Sequence, residues 1–516
     1  MKNLIRLVSL ATTLFAAACK TTPATTATTD DGKIEVVFVQ VNDVYEIAPL
    51  AGGQEGGMAR VATLKKQLQR QNPNTFLVMA GDFLSPSVYN SLPYQGKPIR
   101  GRQMVAAMNA AGMDLAVFGN HEFDIKENDL QERLNESDFK WIASNTFHKQ
   151  NNQVVPFAKT TGPNAGSIPK SLIVTVKDAD GTTAKIGFIG LTLPFNKAPY
   201  VSYTHALTTA QQLYQNLKDS VDAVVAITHQ TIREDMALAR KMPGLAVILG
   251  GHEHDQREEK VGDVYITKAH ANAKSAYVVK LAIDKQEQKV TARPELKYLN
   301  QTVALDSATN RVVQEWARIA NNNYSALGFD AQKVILTGTE PLDGREIEMR
   351  RHPTNLSNLI VAAVAAAAPQ ADVVLVNAGS IRVDDILPMP LTQYDILRAL
   401  PFGGGIKEVD LKGSLLTKIL TQGRQNAGSG GYLLPNQAVT FDAQKNTWYL
   451  KNKPIEGTKT YRVAVTDFLF TGQEANLGFL NPDNPEVIKV YSTNPVLAPV
   501  QTDIRMAIVK YLENRK

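Results

Sequence analysis

"MDLAVFGNHEFD", residues 113–124, decides how the chain is read. The apolar run from Leu115 to Phe118 has the character of a buried strand. It stops on a glycine, an amide and an imidazole, Gly119, Asn120 and His121, with a carboxylate, Asp124, three residues on. The same grammar recurs along the first 254 residues. "IEVVFVQVND" (34–43) ends on Asp43, "TFLVMAGD" (75–82) on Asp82, "DAVVAITH" (222–229) on His229, and "LAVILGGHEH" (245–254) on His252 and His254. Singly, each has a plain explanation, since Asn and Asp favour turns and a lone histidine at a strand end is commonly a satisfied surface or core side chain. Five in succession, using four of the eight histidines, point to one shared site.

Between Ile34 and about Asn300 short apolar runs alternate with amphipathic stretches, the pattern of a layered α/β domain. Ligands in such folds gather at the carboxyl ends of strands. Imidazole, carboxylate and amide oxygen together suit zinc, manganese, cobalt or iron as divalent ions. His252 and His254 lie two apart and can point different ways, each toward a different ion. Gly250 and Gly251 before them allow a sharp turn. Asp82 has two oxygens and can bridge. Two ions about 3.5–4 Å apart would hold a hydroxide and clamp a phosphoryl group.

The bulk numbers bound the reading. A chain of 516 residues is too long for one core, so two or three domains are expected. Net charge is +5 with Lys and Arg scattered, and no basic stripe carries interleaved aromatics; nucleic acid is not an expected partner. The one cysteine, Cys19, excludes an internal disulfide and a Cys-based zinc site. Lys2 and Arg6 precede an apolar stretch, Leu7 to Ala18, too short to span a bilayer. Residues 1–18 read as a signal peptide. "AAAC" (16–19) resembles the lipobox of bacterial lipoproteins, with Ala16 in place of the usual Leu. Lipidation at Cys19 would anchor an exported protein to the membrane by that lipid alone, in the periplasm or at the cell surface; ordinary secretion with an incidental cysteine is the alternative. Residues 19–33, rich in Thr, read as a flexible tether.

Beyond Asn300 the alternation weakens. "SATNRVVQEWARIANNNYSALG" (307–328) predicts one helix, capped near Ser307 or Thr309 and ended by Gly328, within a connector at 301–332. A second α/β region follows at 333–516, where "LSNLIVAAVAAAAPQ" (356–370) predicts a helix stopped at Pro369.

Asp43, "GD" at 81–82, "GNHEFD" at 119–124, "TH" at 228–229 and "GHEH" at 251–254 resemble the calcineurin-like metallophosphoesterases, and within them the bacterial 5'-nucleotidase and UDP-sugar hydrolase family. The resemblance implies an α/β (α+β) protein: a four-layer metallophosphoesterase sandwich over 34–300, then a C-terminal α/β 5'-nucleotidase substrate-binding domain. It implies one ion on Asp43, Asp82 and His254, and another on Asp82, Asn120, His229 and His252. It assigns His121 to the transition state and Asp124 to orienting it. "EFDIKENDLQERL" (122–134) reads as a helix start, so residues 121 and 124 can share a face.

Three segments carry the same resemblance into the second half. "VVLVNAGSIR" (373–382) corresponds to the family's Asn-Gly-Gly-Gly-Ile-Arg, which turns Asn377 and Arg382 toward substrate. "EMRRHPTNLSNLI" (348–360) supplies Arg350, with His352 where a second Arg is usual and Pro353 in place of Glu. "ALPFGGGIKEVDLKGS" (399–414) puts Phe402 on one jaw of an aromatic clamp for a nucleobase, though a bare Phe after Pro is ordinarily core. The second jaw, in "GQEANLGFL" (472–480), falls on Asn476 without a gap and on Phe479 with one. The family also writes Asp-x-His where this chain has Asp43-x-Tyr45. Three readings stand: Tyr45 ligates a harder ion, it sits beside the site while water fills the gap, or the first ion binds weakly. The implied activity is removal of phosphate from nucleotides by metal-bound hydroxide. A cyclic-nucleotide phosphodiesterase or UDP-sugar pyrophosphatase is the alternative within enzymes, and a surface-anchored nucleotide-binding protein the alternative outside them.

Overall fold

The computed structural model describes residues 30–195, 198–492 and 498–515. The leader, Cys19 and the tether as far as residue 29 lie outside the described residues.

Two six-stranded sheets build the first domain. One runs, edge to edge, Lys289–Tyr298, Ser275–Asp284, Lys33–Val41, Thr75–Met79, Leu115–Val117 and Lys140–Ile142. The other runs Ser171–Lys177, Thr183–Thr192, Ala223–His229, Val247–Gly251, Val264–Lys268 and Arg257–Val261. The near-continuous apolar runs are the parallel strands at the centre of each sheet, buried on both faces. The facing sides interlock in one core that includes Val36, Phe38, Val117, Phe188, Val225 and Leu249. Phe38 and Phe188 meet edge to face across it, ring centroids 5.9 Å apart. Helices Met58–Gln71 and Arg102–Ala111 cover the outer face of the first sheet, and Ala206–Leu217 and Ile232–Lys241 that of the second. The result is the four-layer sandwich, and it brings the carboxyl ends at Val41, Met79, Val117, His229 and Gly251 to one edge.

The helix expected over 307–328 is Ser307–Ala326. Its cap is Asp306, not Ser307 or Thr309: the Asp306 carboxylate accepts from the Thr309 backbone N–H and also pairs with Lys66. Val313, Trp316, Ala320 and Tyr324 join the core under Met58 and Met104, so the connector lies on the helical layer of the first domain. The second domain is a five-stranded sheet in the order Leu433–Pro435, Val373–Asn377, Thr460–Thr466, Ile406–Lys412, Val487–Val490. Helices Asn355–Ala367 and Ile504–Glu513 pack on one face and Gly413–Gln425 on the other. Asn355–Ala367 ends just before Pro369, as expected. Among the described residues no helix is long and apolar enough to cross a membrane.

Candidate active site

Asp43, Asp82 and His229 converge at the shared strand edge, each offering a ligand atom within 4.8 Å of the others, and all three are buried. The backbone is strained where the ligands emerge. Asp43 (φ 52°), Asp82 (φ 55°) and His252 (φ 86°) all occupy left-handed conformations, which cost a non-glycine residue about 1–3 kcal/mol each and concentrate at functional sites. Close approach demands glycine nearby: a Cβ on Gly119 would lie 2.1 Å from Asp82 Oδ1, and one on Gly251 would lie 2.2 Å from the Ala80 carbonyl.

Hydrogen bonds aim the donors. The Asp43 Oδ2 accepts from Asn42 Nδ2 (2.8 Å) and the His252 backbone N–H (2.9 Å). That leaves Oδ1 facing His254 Nε2 at 3.5 Å and His229 Nε2 at 3.9 Å. Asp82 Oδ1 accepts from the His121 backbone N–H at 2.7 Å, and its Oδ2 stands 3.0 Å from His229 Nε2. The His229 Nδ1–H donates to the Ala80 carbonyl at 2.8 Å. This is how a metal-ligating histidine is oriented by its outer nitrogen. His229 Nε2 is paired with Asp82 Oδ2, whereas Asn120 Oδ1 is buried with no hydrogen-bond partner among the described residues. An orphaned buried polar atom costs about 1–3 kcal/mol, and a cation at Asn120 Oδ1 would remove that cost. Burial works against charge at His229, yet Asp82 and Asp43 outweigh it and raise its pKa to about 9. Burial and the neighbouring His229 push His252 down to about 4. A pocket with two buried carboxylates calls for positive charge, and these oxygen and nitrogen donors fit divalent cations.

The segment read as a helix start is a short 3-10 turn, His121–Asp124, with the α-helix beginning only at Glu127. The turn still sets the pair: His121 Nδ1 lies 2.6 Å from Asp124 Oδ2. From the second domain, Arg382 brings Nη2 to 3.4 Å from both ring nitrogens of His121. Arg382 Nη1 is 3.0 Å from Glu346 Oε1, and Arg350 pairs with the same carboxylate.

The remaining expected residues are placed less directly. Asn377 is buried and committed, donating to Glu474 Oε2 and accepting from Ser380 Oγ, both at 2.6 Å. Phe402 is 62% exposed, so it is not core. Phe479 packs against the inner core of the second domain with Lys418 Nζ 4.2 Å over its ring, and Asn476 donates to Asn426.

Residues 36–256 match the calcineurin-like phosphoesterase family model, and residues 332–479 match that of the 5'-nucleotidase C-terminal domain. The chain belongs to the calcineurin-like metallophosphoesterases with a 5'-nucleotidase C-terminal domain. Rat 5'-nucleotidase is 26% identical over 472 residues, 81% of this chain and 77% of the relative. The snake venom 5'-nucleotidase of Naja atra is 26% identical over 506 residues, 86% and 91% of the two chains. The fold is shared with a 5'-nucleotidase precursor from Thermus thermophilus, at a TM-score of 0.68 and 22% identity, over 94% of this chain and 97% of that one.

Within this metallophosphoesterase, several residues at the site were not singled out in the sequence. Glu122 is buried and accepts four backbone N–H groups, from Asp82, Phe83, Leu84 and Gly119. It ties the Asp82 loop to the Asn120–His121 loop, and its place in "GNHEFD" was the available signal. Burial, with Asp82 nearby, lifts its pKa to about 7. Glu346 neutralises the two arginines, Glu474 accepts from Asn377, and Asp384 meets His254 from the second domain.

Proposed function

We propose that the protein is a metal-dependent phosphohydrolase that releases phosphate from nucleoside 5'-monophosphates, with 34–300 as the metal-binding domain and 333–516 as the substrate domain. The observation that carries this is the buried meeting of Asp43, Asp82 and His229, with the unpartnered Asn120 Oδ1 and the His121–Asp124 pair on the adjoining loop. Asp43, Asp82 and His254 would hold one divalent cation, and Asp82, Asn120, His229 and His252 the other. Cations held there supply Lewis acidity to the phosphoryl group and to water.

The chain's own residues do the rest. Asp124 accepts from His121 Nδ1–H and fixes the ring. Burial works against charge on His121, yet Asp82 and Asp124 outweigh it and raise its pKa, and in the protonated form Nε2–H can donate to a phosphoryl oxygen as charge builds there. Arg382 stands against that ring and presents a planar fork suited to phosphate. Arg350 adds a second charge, and Glu346 keeps both arginines in place until phosphate competes for them. Phe402, exposed beside Pro401, whose carbonyl accepts from Ser91 of the first domain, offers a face for a base.

Product analysis of a panel of nucleotides, cyclic nucleotides and UDP-sugars, with manganese, cobalt or zinc added, tests the reading. Free phosphate and nucleoside from the monophosphates are the expected result; monophosphates from the cyclic nucleotides, or UMP and sugar phosphate from the UDP-sugars, with no phosphate freed from the monophosphates, would move the assignment to the diesterase or pyrophosphatase. One observation favours a second reading, a nucleotide-binding protein with weakened turnover: Tyr45 stands where the family has a histidine. Nucleotide binding with no phosphate released under any metal would select it. We also carry export and lipidation at Cys19 into the proposal, on the strength of the sequence at 1–19; metabolic labelling with a fatty acid, lost in Cys19→Ala, tests that part.

A further inference from the structure

His254 takes its outer hydrogen bond from the other domain. Its Nδ1 lies 2.9 Å from Asp384 Oδ2 and 3.3 Å from the Asp384 carbonyl oxygen. Both neighbours are acceptors, so the ring proton belongs on Nδ1, and Nε2 is left to face Asp43 Oδ1. Asp384 is itself held. Its Oδ1 accepts from the Glu346 backbone N–H at 2.6 Å, and its backbone lies at φ 38°, a conformation that Asp tolerates better than most residues. The next residue, Asp385, pairs with Lys274 of the first domain at 2.5 Å. The loop that carries Arg382 is therefore fastened to the first domain beside the metal-facing histidines.

We propose that Asp384 is a positioning residue through which the second domain completes the first cation site, so that domain docking and cation binding at His254 reinforce each other. The proposal rests on His254 being a ligand, as in the functional reading above. A carboxylate behind a ligating imidazole fixes its orientation and raises its basicity, and its loss typically costs 10–100-fold in metal affinity. Linkage makes the effect reciprocal: whatever factor docking adds to cation affinity, the cation adds to docking. The motif that carries the resemblance here ends at Arg382, two residues before Asp384, so the link comes from the contact itself.

The test uses the full chain, stripped with chelator and titrated with Mn²⁺ alone by calorimetry, with bound ions counted by elemental analysis. Asp384→Asn and Asp384→Ala are expected to weaken the less tightly held ion about 10–100-fold and to leave the other unchanged. Asp384→Glu should restore part of the loss. Combining Asp384→Ala with His254→Ala should cost no more than His254→Ala alone. Hydrogen exchange at 271–274 and 383–386 should slow on adding Mn²⁺ in the wild type and not in Asp384→Ala. Should the wild type hold a single ion, the same comparison in the Tyr45→His background decides. Unchanged affinities, or Mn²⁺-dependent protection that survives in Asp384→Ala, overturn the proposal while leaving the hydrolase reading intact. A wild type that binds no Mn²⁺, Zn²⁺ or Co²⁺ removes both.

Discussion

Tyr45 Oη stands 3.1 Å from His254 Nε2 and 3.4 Å from both Asp43 Oδ1 and Asp82 Oδ2. A phenol thus sits in the middle of the donor set that the first cation would use. Burial, with Asp82 and Asp43 beside it, pushes the phenol well above its usual pKa, so in the cation-free site it keeps its proton and is a poor donor. Tyr45→His replaces it with a neutral imidazole that ligates at neutral pH. The variant should bind the first ion at least about tenfold more tightly, given the 10–100-fold scale on which single groups tune such sites, and reach full activity at lower metal. A metal titration that superimposes on the wild type would count against Tyr45 as the weak point.

The His121–Asp124 pair predicts a different split. Neither residue is placed among the cation donors, so His121→Ala and Asp124→Asn should leave metal content unchanged. Both should lower kcat, His121→Ala by about 10²–10⁴-fold, the usual worth of a positioned proton donor. The elemental analysis and the kinetics belong on the same preparation. Loss of metal along with activity would move His121 from the reacting phosphoryl group into the metal-binding scaffold.

Phe402 is exposed while most large apolar side chains of the second domain are buried, which suits a stacking surface. A base stacked on an aromatic ring gains about 1–3 kcal/mol. Phe402→Ala should therefore raise KM for nucleotides about 5- to 150-fold and barely change it for a small aryl phosphate. Equal effects on both would remove Phe402 from the base site. With Phe479 packed on the core beneath Lys418, Phe479→Ala should cost stability more than it changes this ratio.

The lesson for reading such a chain lies in what repeats. Asp43, Asp82, Asn120, His229 and His252 were legible because each follows an apolar strand, and parallel strands place their carboxyl ends together whatever the loops do. The left-handed backbone at Asp43, Asp82 and His252 left no trace in residue type, since none of the three is glycine. The cap at Asp306 was missed by one residue because Asp, Ser and Thr serve equally well there. Asp384 and Glu346 were invisible for a stronger reason: their partners lie across the domain seam or are held by side-chain charge, and such contacts leave no periodic pattern. Glu122 sat in plain view inside the most specific motif and was read only as part of a helix that begins later, at Glu127.

Glu122 also gives the sharpest stability prediction. Its Oε1 accepts from the Phe83 and Leu84 N–H groups at 2.7 and 3.0 Å, and its Oε2 from those of Asp82 and Gly119 at 2.9 and 2.6 Å. A glutamine of the same shape has one oxygen, so whichever way its amide turns, an NH₂ group faces two buried N–H donors. At about 1–3 kcal/mol for each unsatisfied group, Glu122→Gln should destabilise the protein by about 2–6 kcal/mol, read by denaturant unfolding of the metal-free chain. The Asp82 loop would loosen with it, because its N–H groups are the ones released. Metal affinity should therefore fall in Glu122→Gln although the residue touches no cation. A variant with wild-type stability and wild-type metal binding would mean that water satisfies those N–H groups and that the Asp82 loop is held by its own strand alone.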